Sequence, residues 1–519
     1  MRLPSPASPV ATHALPRFAP LAFACALALQ GGAVQAQDGP SPGADAGAVR
    51  TLDARIRLGG EYIHLPERER IGLLGMTELL NVGGDWWVGP GVYGSVSGVH
   101  GGFFVPGFEG AWSHAFNDWL AVDAGLFAGG GGGGAAPVGG GLMLRPHLDI
   151  VFRTRGFYAG PTFSKVWFPN GQIHSNQIGW MINVDSSFRY RPADFTGAAT
   201  DGSATGLGFD HVDAMVTFAK PHASTTTAGA PLTGRIGLVG LRAERVVDGP
   251  LWAGIETAGA ASGGVAGYAE VLATAGLRWP VADRLSLGVR ASAGLGGGGG
   301  IDTRGGFIVK GAVGATLRLT DTLGIGAEVG VVDAPRLAHY KSATAAVSLN
   351  WALDVPQSEM DNWFSTNPGT PTRMEFGSAV ERYRAARKDG RTEALDAVAL
   401  QINRFVAPNL YLTGQLHSAF AGGAGAYSVG LFGVGGQLPV TSRIRLGAEA
   451  LAGAAGGGGV DTQGGAIVQG RAYADVALTD ALSLRVGVGR IKSVHGGLGA
   501  PVVDAGLVFR FGVDRGGKH

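Results

Sequence analysis

The feature that most constrains this chain is a glycine-rich unit that returns at long intervals. It reads GGGGIDTRGG at residues 297–306, GGGGVDTQGG at 456–465 and, in eroded form, GGGGAAPVGG at 131–140. The starts lie 166 and 159 residues apart, so the chain divides into three copies of one module. Around the second unit Leu285, Leu287, Val289, Ala291 and Ala293 alternate with Arg284, Ser286, Gly288, Arg290 and Ser292. That period of two makes strands with one apolar face and one polar or small face. The glycine unit between them then reads as a hairpin.

Aligning the copies gives about eight strands per module, in modules spanning 52–191, 207–354 and 373–511 with a tail at 512–519. Residues 192–206 and 355–372 read as connections, and 378–388 reads as strand or loop rather than helix. Residues 1–36 have the form of a secretory signal, with Arg2 and Arg17 ahead of an apolar core and Val34-Gln35-Ala36 as the cleavage site. The only cysteine, Cys25, lies in that core, so the mature chain has neither disulfides nor thiolate metal sites.

With 91 glycines among 519 residues the chain could suggest collagen or a linker, but it has no Gly-X-Y period and is 45% hydrophobic. Charged residues are 16% and the net charge is +1, which leaves no basic field for nucleic acid. Beyond the signal, no apolar run reaches the ~18 residues of a transmembrane helix.

The turns orient the modules. Tight turns at Asn117-Asp118, Ala282-Asp283 and Thr441-Ser442, and at 153–155, 320–322 and 479–481, fall on the side of both termini. The glycine hairpins and the longer loops fall opposite, which is the organisation of a transmembrane β-barrel. Trp86, Trp87, Trp119, Trp252 and Trp279 near the tight turns, and Trp167 and Trp180 near the other rim, suit two interfacial belts.

The last strand carries Asp504, Gly506, Phe509 and Phe511 in the order polar, glycine, hydrophobic, aromatic. In this it resembles the C-terminal insertion signal of Gram-negative outer-membrane β-barrel proteins, although eight residues follow it. The resemblance covers residues 52–511 at the level of the class, with no narrower family. It implies an outer-membrane location and contact with outer-membrane lipids and with the insertion machinery; any periplasmic export components would be supplied by other chains. The fold expected is all-β: one large antiparallel barrel of about 24 strands, with three eight-stranded barrels as the alternative. The single barrel is preferred because the first strand of each module carries few bulky inward side chains, and a small barrel must fill itself.

Candidate chemistry is sparse. The GGxGxD match at 297–302 and 456–461 lacks the tandem copies a calcium solenoid needs. His174, His339 and His495 recur in equivalent loops, but in one large barrel they would be too far apart to share a metal. Arg145, His147 and Asp149 share a face, as do His211 and Asp213, yet no nucleophile motif accompanies them. The expectation is no enzyme, no cofactor and no metal. Inward positions include Arg284, Arg290, Lys310, Arg318, Arg443, Arg445, Arg471 and Arg485 against Glu328, Glu449 and Asp475. A lumen lined in this way favours anions. The function expected is a pore for a hydrophilic, anion-favouring solute or a polymer such as exopolysaccharide. The alternatives are a non-conducting structural or surface-interaction barrel and a barrel-embedded lipid hydrolase.

Overall fold

A computed structural model describes residues 49–154, 157–193, 209–320, 323–335, 338–352 and 372–513. The expected signal, most of both connections and the tail beyond Val513 lie outside these residues.

The first module folds as β1 (Arg50–His64), β2 (Arg70–Gly83), β3 (Trp86–Ser97), β4 (Phe104–Ala115), β5 (Leu120–Gly130), β6 (Leu142–Arg153), β7 (Phe157–Trp167) and β8 (His174–Tyr190). The second comprises β9 (His211–Pro221), β10 (Ile236–Asp248), β11 (Leu251–Ser262), β12 (Ala269–Ala282), β13 (Leu285–Gly297), β14 (Phe307–Arg318), β15 (Leu323–Asp333) and β16 (Lys341–Ala352). The third comprises β17 (Thr372–Ala386), β18 (Thr392–Ala407), β19 (Leu410–Ala421), β20 (Ser428–Pro439), β21 (Ile444–Gly456), β22 (Ala466–Ala477), β23 (Leu482–Ser493) and β24 (Gly499–Val513).

All pairings are antiparallel, and each module closes on itself. β1 pairs with β8 from Arg50↔Tyr190 to Gly60↔Trp180, β9 pairs with both β10 and β16, and β17 pairs with β24. A single 24-stranded barrel would pair β8 with β9 and β16 with β17; three closed eight-stranded barrels form instead. The argument for one barrel fails on the first strands themselves, which place Arg55, Arg57 and Glu61, or Glu375, Glu381 and Tyr383, inward and buried. Long charged side chains reach across and fill the bore, as an eight-stranded barrel requires.

The outer faces are apolar and exposed: Val289, Val313, Val329, Val331, Val347 and Val486 all lie on solvent-accessible positions. Their cross-strand register is direct, with Val289 opposite Val313 and Val313 opposite Val329. The inward neighbours Ser286, Ser292 and Lys310 point into the bore or its wall. Apolar outside and polar inside inverts a water-soluble fold. Trp86, Trp119, Trp180 and Trp279 are exposed on the rims as expected of belts, whereas Trp252 is buried and Trp87 lies under the guanidinium of Arg55 at 4.3 Å.

The three barrels pack in a closed triangle through the glycine hairpins. The β13–β14 hairpin docks on the β3–β4 loop, where Gly101 N donates to Arg304 O at 2.6 Å. The β5–β6 hairpin docks on the β19–β20 loop, where Gly425 N donates to Gly139 O at 3.0 Å. The β21–β22 hairpin docks on the β11–β12 loop, where a Cβ on Gly267 would stand 2.9 Å from Gly457 N. Barrel two thus sits on one, three on two and one on three, a pseudo-threefold ring within one chain. At the opposite end Arg191 and Gly512 exchange backbone bonds of 2.9 and 2.7 Å, and Phe188 meets Phe511 at 5.3 Å. Phe509 and Phe511, expected in an insertion signal, therefore face outward but against barrel one.

Candidate functional site in the barrel interiors

Each interior has two levels. At the loop end sits an apolar plug: Ile63, Ile71, Phe103, Phe127, Phe168 and Ile173 in barrel one. Tyr268, Tyr340, Ile236, Leu238 and Ile301 occupy the same level in barrel two, and Tyr383, Tyr427, Leu431, Val460 and Leu498 in barrel three. Below each plug lies a network of buried charges.

In barrel one Arg57 is the hub. Its Nη1 reaches Glu109 at 2.5 Å, its Nη2 reaches Asp123 at 2.5 Å and Asp149 at 3.3 Å, and its Nε donates to Asn183 at 3.2 Å. Arg145 grips Glu61 with two bonds of 2.8 and 2.9 Å, and Ser164 donates to the same carboxylate at 2.6 Å. His147 lies between Asp149 at 3.1 Å and Glu109 at 3.3 Å. Arg145, His147 and Asp149 do face inward and are buried together, but most of their ring and guanidinium bonds are spent on carboxylates. Among the described residues no hydroxyl is hydrogen-bonded to His147.

Barrel two is built around Arg242, which is fully buried. It meets Asp213 at 2.5 Å, Glu244 at 2.7 Å and Glu328 at 3.0 Å. Lys310 pairs with Glu256 at 2.5 Å, Arg278 pairs with Glu244 at 2.7 Å, and Arg290 pairs with Glu328 while lying 4.8 Å over the Trp252 ring. In barrel three Arg485 holds Asp475 through bonds of 2.7 and 2.8 Å and Glu375 at 3.0 Å. Arg471 pairs with Asp504 and Glu449, Tyr411 donates to Glu449 at 2.8 Å, and His417 lies 2.8 Å from Glu381. Bidentate, charge-assisted bonds of this kind are the strong ones.

Of the lumen candidates, Arg290, Lys310, Glu328, Glu449, Arg471, Asp475 and Arg485 enter these networks. Arg284 and Arg443 instead lie exposed on the tight-turn rim, Arg318 donates to Asp283 O at 3.0 Å there, and Arg445 sits half-buried just inside. The expected excess of cations does not describe the interior of barrel two. Arg242, Arg278, Arg290 and Lys310 face Asp213, Glu244, Glu256, Glu270 and Glu328. The unforeseen carboxylates carry a legible signal: Arg242 and Glu244 alternate within LRAER, on the parity that points inward.

The hairpin motif is structural where it is described. Ile301 N donates to Gly298 O at 3.0 Å and Gly306 N to Thr303 O at 2.9 Å, turns that glycine's positive φ permits. Asp302 meets His339 at 3.0 Å, while His174 and His495 belong to the other two barrels. Among the described residues no group of three His, Cys, Asp or Glu side chains could hold a metal ion.

In hydrocarbon every backbone polar group must be paired, so a closed antiparallel sheet with an apolar belt is a spanning structure. Those features place the chain in the outer-membrane β-barrel class, as a protein of the outer membrane. Within that class it is a three-barrel chain; no protein-family model matches it, and no curated protein does. It is similar to designed transmembrane β-barrels, at 16% identity over 28% of this chain and 98% of that one, with a TM-score of 0.20. It is also similar to the ferric enterobactin receptor of Pseudomonas aeruginosa, at 8% identity over 89% of this chain and 81% of that one, with a TM-score of 0.28. A third likeness is to the NanC porin, at 8% identity over 57% of this chain and 98% of that one, with a TM-score of 0.15. The class assignment rests on the closed sheets and the outer belt, not on these likenesses.

Proposed function

We propose that this chain is a non-conducting structural or surface-interaction protein of the outer membrane. Three fused barrels hold their glycine-rich hairpins together as one platform on the side away from the termini. The observation that carries this reading is the filling of the bores. Each has an apolar plug above a dense network of ion pairs. Spaces beside Arg471 and Arg290 measure about 20 Å³ each, and one beside Arg57 about 10 Å³. That is room for about one water molecule apiece. The lipids around the belt and the insertion machinery are the partners this reading needs.

The test is reconstitution of the refolded chain in planar bilayers. Folding is verified by heat-modifiable migration, and no stable conductance step is expected. A steady conductance that changes on Lys310→Glu or Arg485→Glu would overturn the reading. It would favour instead passage of a hydrophilic, anion-favouring solute or polymer such as exopolysaccharide, helped by export components in the periplasm. That second reading draws on the polar wall below each plug. A lipid hydrolase has less support, since His147 and His417 are enclosed among carboxylates inside the bores.

A further inference from the structure

The tight-turn mouth of barrel three differs from the rest of the interior. Four arginines lie at this end of three strands: Arg373 on β17, Arg445 on β21 and Arg510 on β24, with Arg443 exposed on the rim just before β21. Arg373 is held in place, its guanidinium 3.4 Å over the Phe405 ring and its Nη2 donating to Gln437 at 3.1 Å. Arg510 donates to the carbonyls of Thr479 and Asp480 at 3.4 and 2.9 Å. Arg445 faces Asp475 across the ladder, but that carboxylate already takes Arg485 on both oxygens and Gln437 at 2.8 Å. Glu375, the other acid at this level, takes Arg485 and Asn403 on Oε2, while its Oε1 has no hydrogen-bond partner.

Arg373, Arg443 and Arg445 have no carboxylate within 4 Å among the described residues, and Arg373 feels the repulsion of Arg445 alongside the attraction of Glu375 and Asp475. Two buried nitrogens, Arg373 Nε and Arg445 Nη1, have no hydrogen-bond partner. A buried N–H without an acceptor is costly, and a group that supplies one relieves both the desolvation and the repulsion. Among the described residues the other two bores also hold unpartnered guanidinium nitrogens, Arg55 Nε and Arg290 Nε and Nη1, but each of these arginines has a carboxylate within 4 Å. In barrel one Arg55 pairs with Asp123 and Asp185, and in barrel two Arg278 pairs with Glu244.

We propose that the tight-turn mouth of barrel three binds a phosphate group, gripped by Arg373, Arg443 and Arg445 from the side of the chain termini. Donors arriving from different strands suit a tetrahedral oxyanion, and guanidinium forks match its oxygens two at a time. The same chemistry is presented by a lipid headgroup in the adjoining leaflet and by a soluble phosphate compound. The site does not depend on whether the barrels conduct.

Equilibrium dialysis of the refolded full chain in neutral detergent, with radiolabelled inorganic phosphate, tests it. One saturable site per chain is expected, weakened about tenfold by Arg445→Gln and by less in Arg443→Gln. Raised salt should weaken it too, while Arg284→Gln on the rim of barrel two should leave it unchanged. Because Arg443 is exposed, its variant keeps the test valid if Arg445→Gln fails to fold. Micelles doped with phosphatidate separate the sources. Displacement of inorganic phosphate by phosphatidate identifies a lipid ligand, and indifference identifies a soluble one. Absent binding, or binding equal in wild type and both arginine variants, overturns the proposal.

Discussion

The plug and the charged level of each barrel do the same job by opposite physics. The plug excludes water through burial, which is roughly proportional to area and indifferent to direction. The network excludes it by pairing buried charges with one another, although atoms such as Asp123 Oδ1 and Arg290 Nε stay without a hydrogen bond, and it works only while its members hold each other in place. The plug should therefore lose stability in proportion to what is removed, whereas the network should fail out of proportion when one member goes.

The largest effect falls on the network. Arg242→Met removes the one group that meets Asp213, Glu244 and Glu328 together. Those carboxylates stay buried, and stability should fall by about 3–5 kcal/mol. Guanidinium unfolding of the full chain in detergent measures it; a loss below about 1 kcal/mol would mean that water or rearrangement reaches the network freely. The plug comes next. Leu238→Ala, at a position 2% exposed, should lose about 2–4 kcal/mol, the transfer and cavity terms of a core leucine. It should open no conductance, because Tyr268 and Tyr340 still pack edge to face at 5.6 Å beside it. If Leu238→Ala alone makes the chain conduct, the plug is not a seal and the contrast between the two levels collapses.

Much of this was written in the alternation. The pattern through Leu285, Leu287 and Val289 sets strand, face and register, because a strand's side chains can go only two ways. The hairpin repeat likewise marks the modules without ambiguity. What alternation cannot say is which strands meet at the ends of a module, since an eight-stranded and a 24-stranded wall have the same local pattern. The deciding information is volume: whether Arg57, Arg145 and Arg242, fully extended, fill a narrow bore. A charge inventory restricted to the cleanest strands left Asp213 out of the balance and missed Glu256 and Glu375, and so read a paired interior as a cationic one. On β9 the alternation of Val212, Ala214, Val216 and Phe218 already puts Asp213 on the inward parity.

The smallest of the three effects bears on the ring that joins the barrels rather than on either level within them. Gly102 has φ of 86°, and a Cβ there would lie 2.4 Å from Gly298 N in the hairpin of barrel two. Gly102→Val strains a left-handed turn and collides with that backbone, yet it touches no rung of the β1–β8 closure. The barrels should stay folded while the contact between one and two loosens by about 1–2 kcal/mol. Trypsin reads this directly, because Arg304 has an exposed side chain while its carbonyl is held by Gly101 N–H. Cleavage after Arg304 should quicken by about tenfold in the variant, as the open population rises, with heat-modifiable migration unchanged. Equal cleavage in both proteins would mean that the hairpin is fixed by its own turns alone. The ring would then be a juxtaposition of three independent barrels rather than an interface that the glycine repeat exists to make.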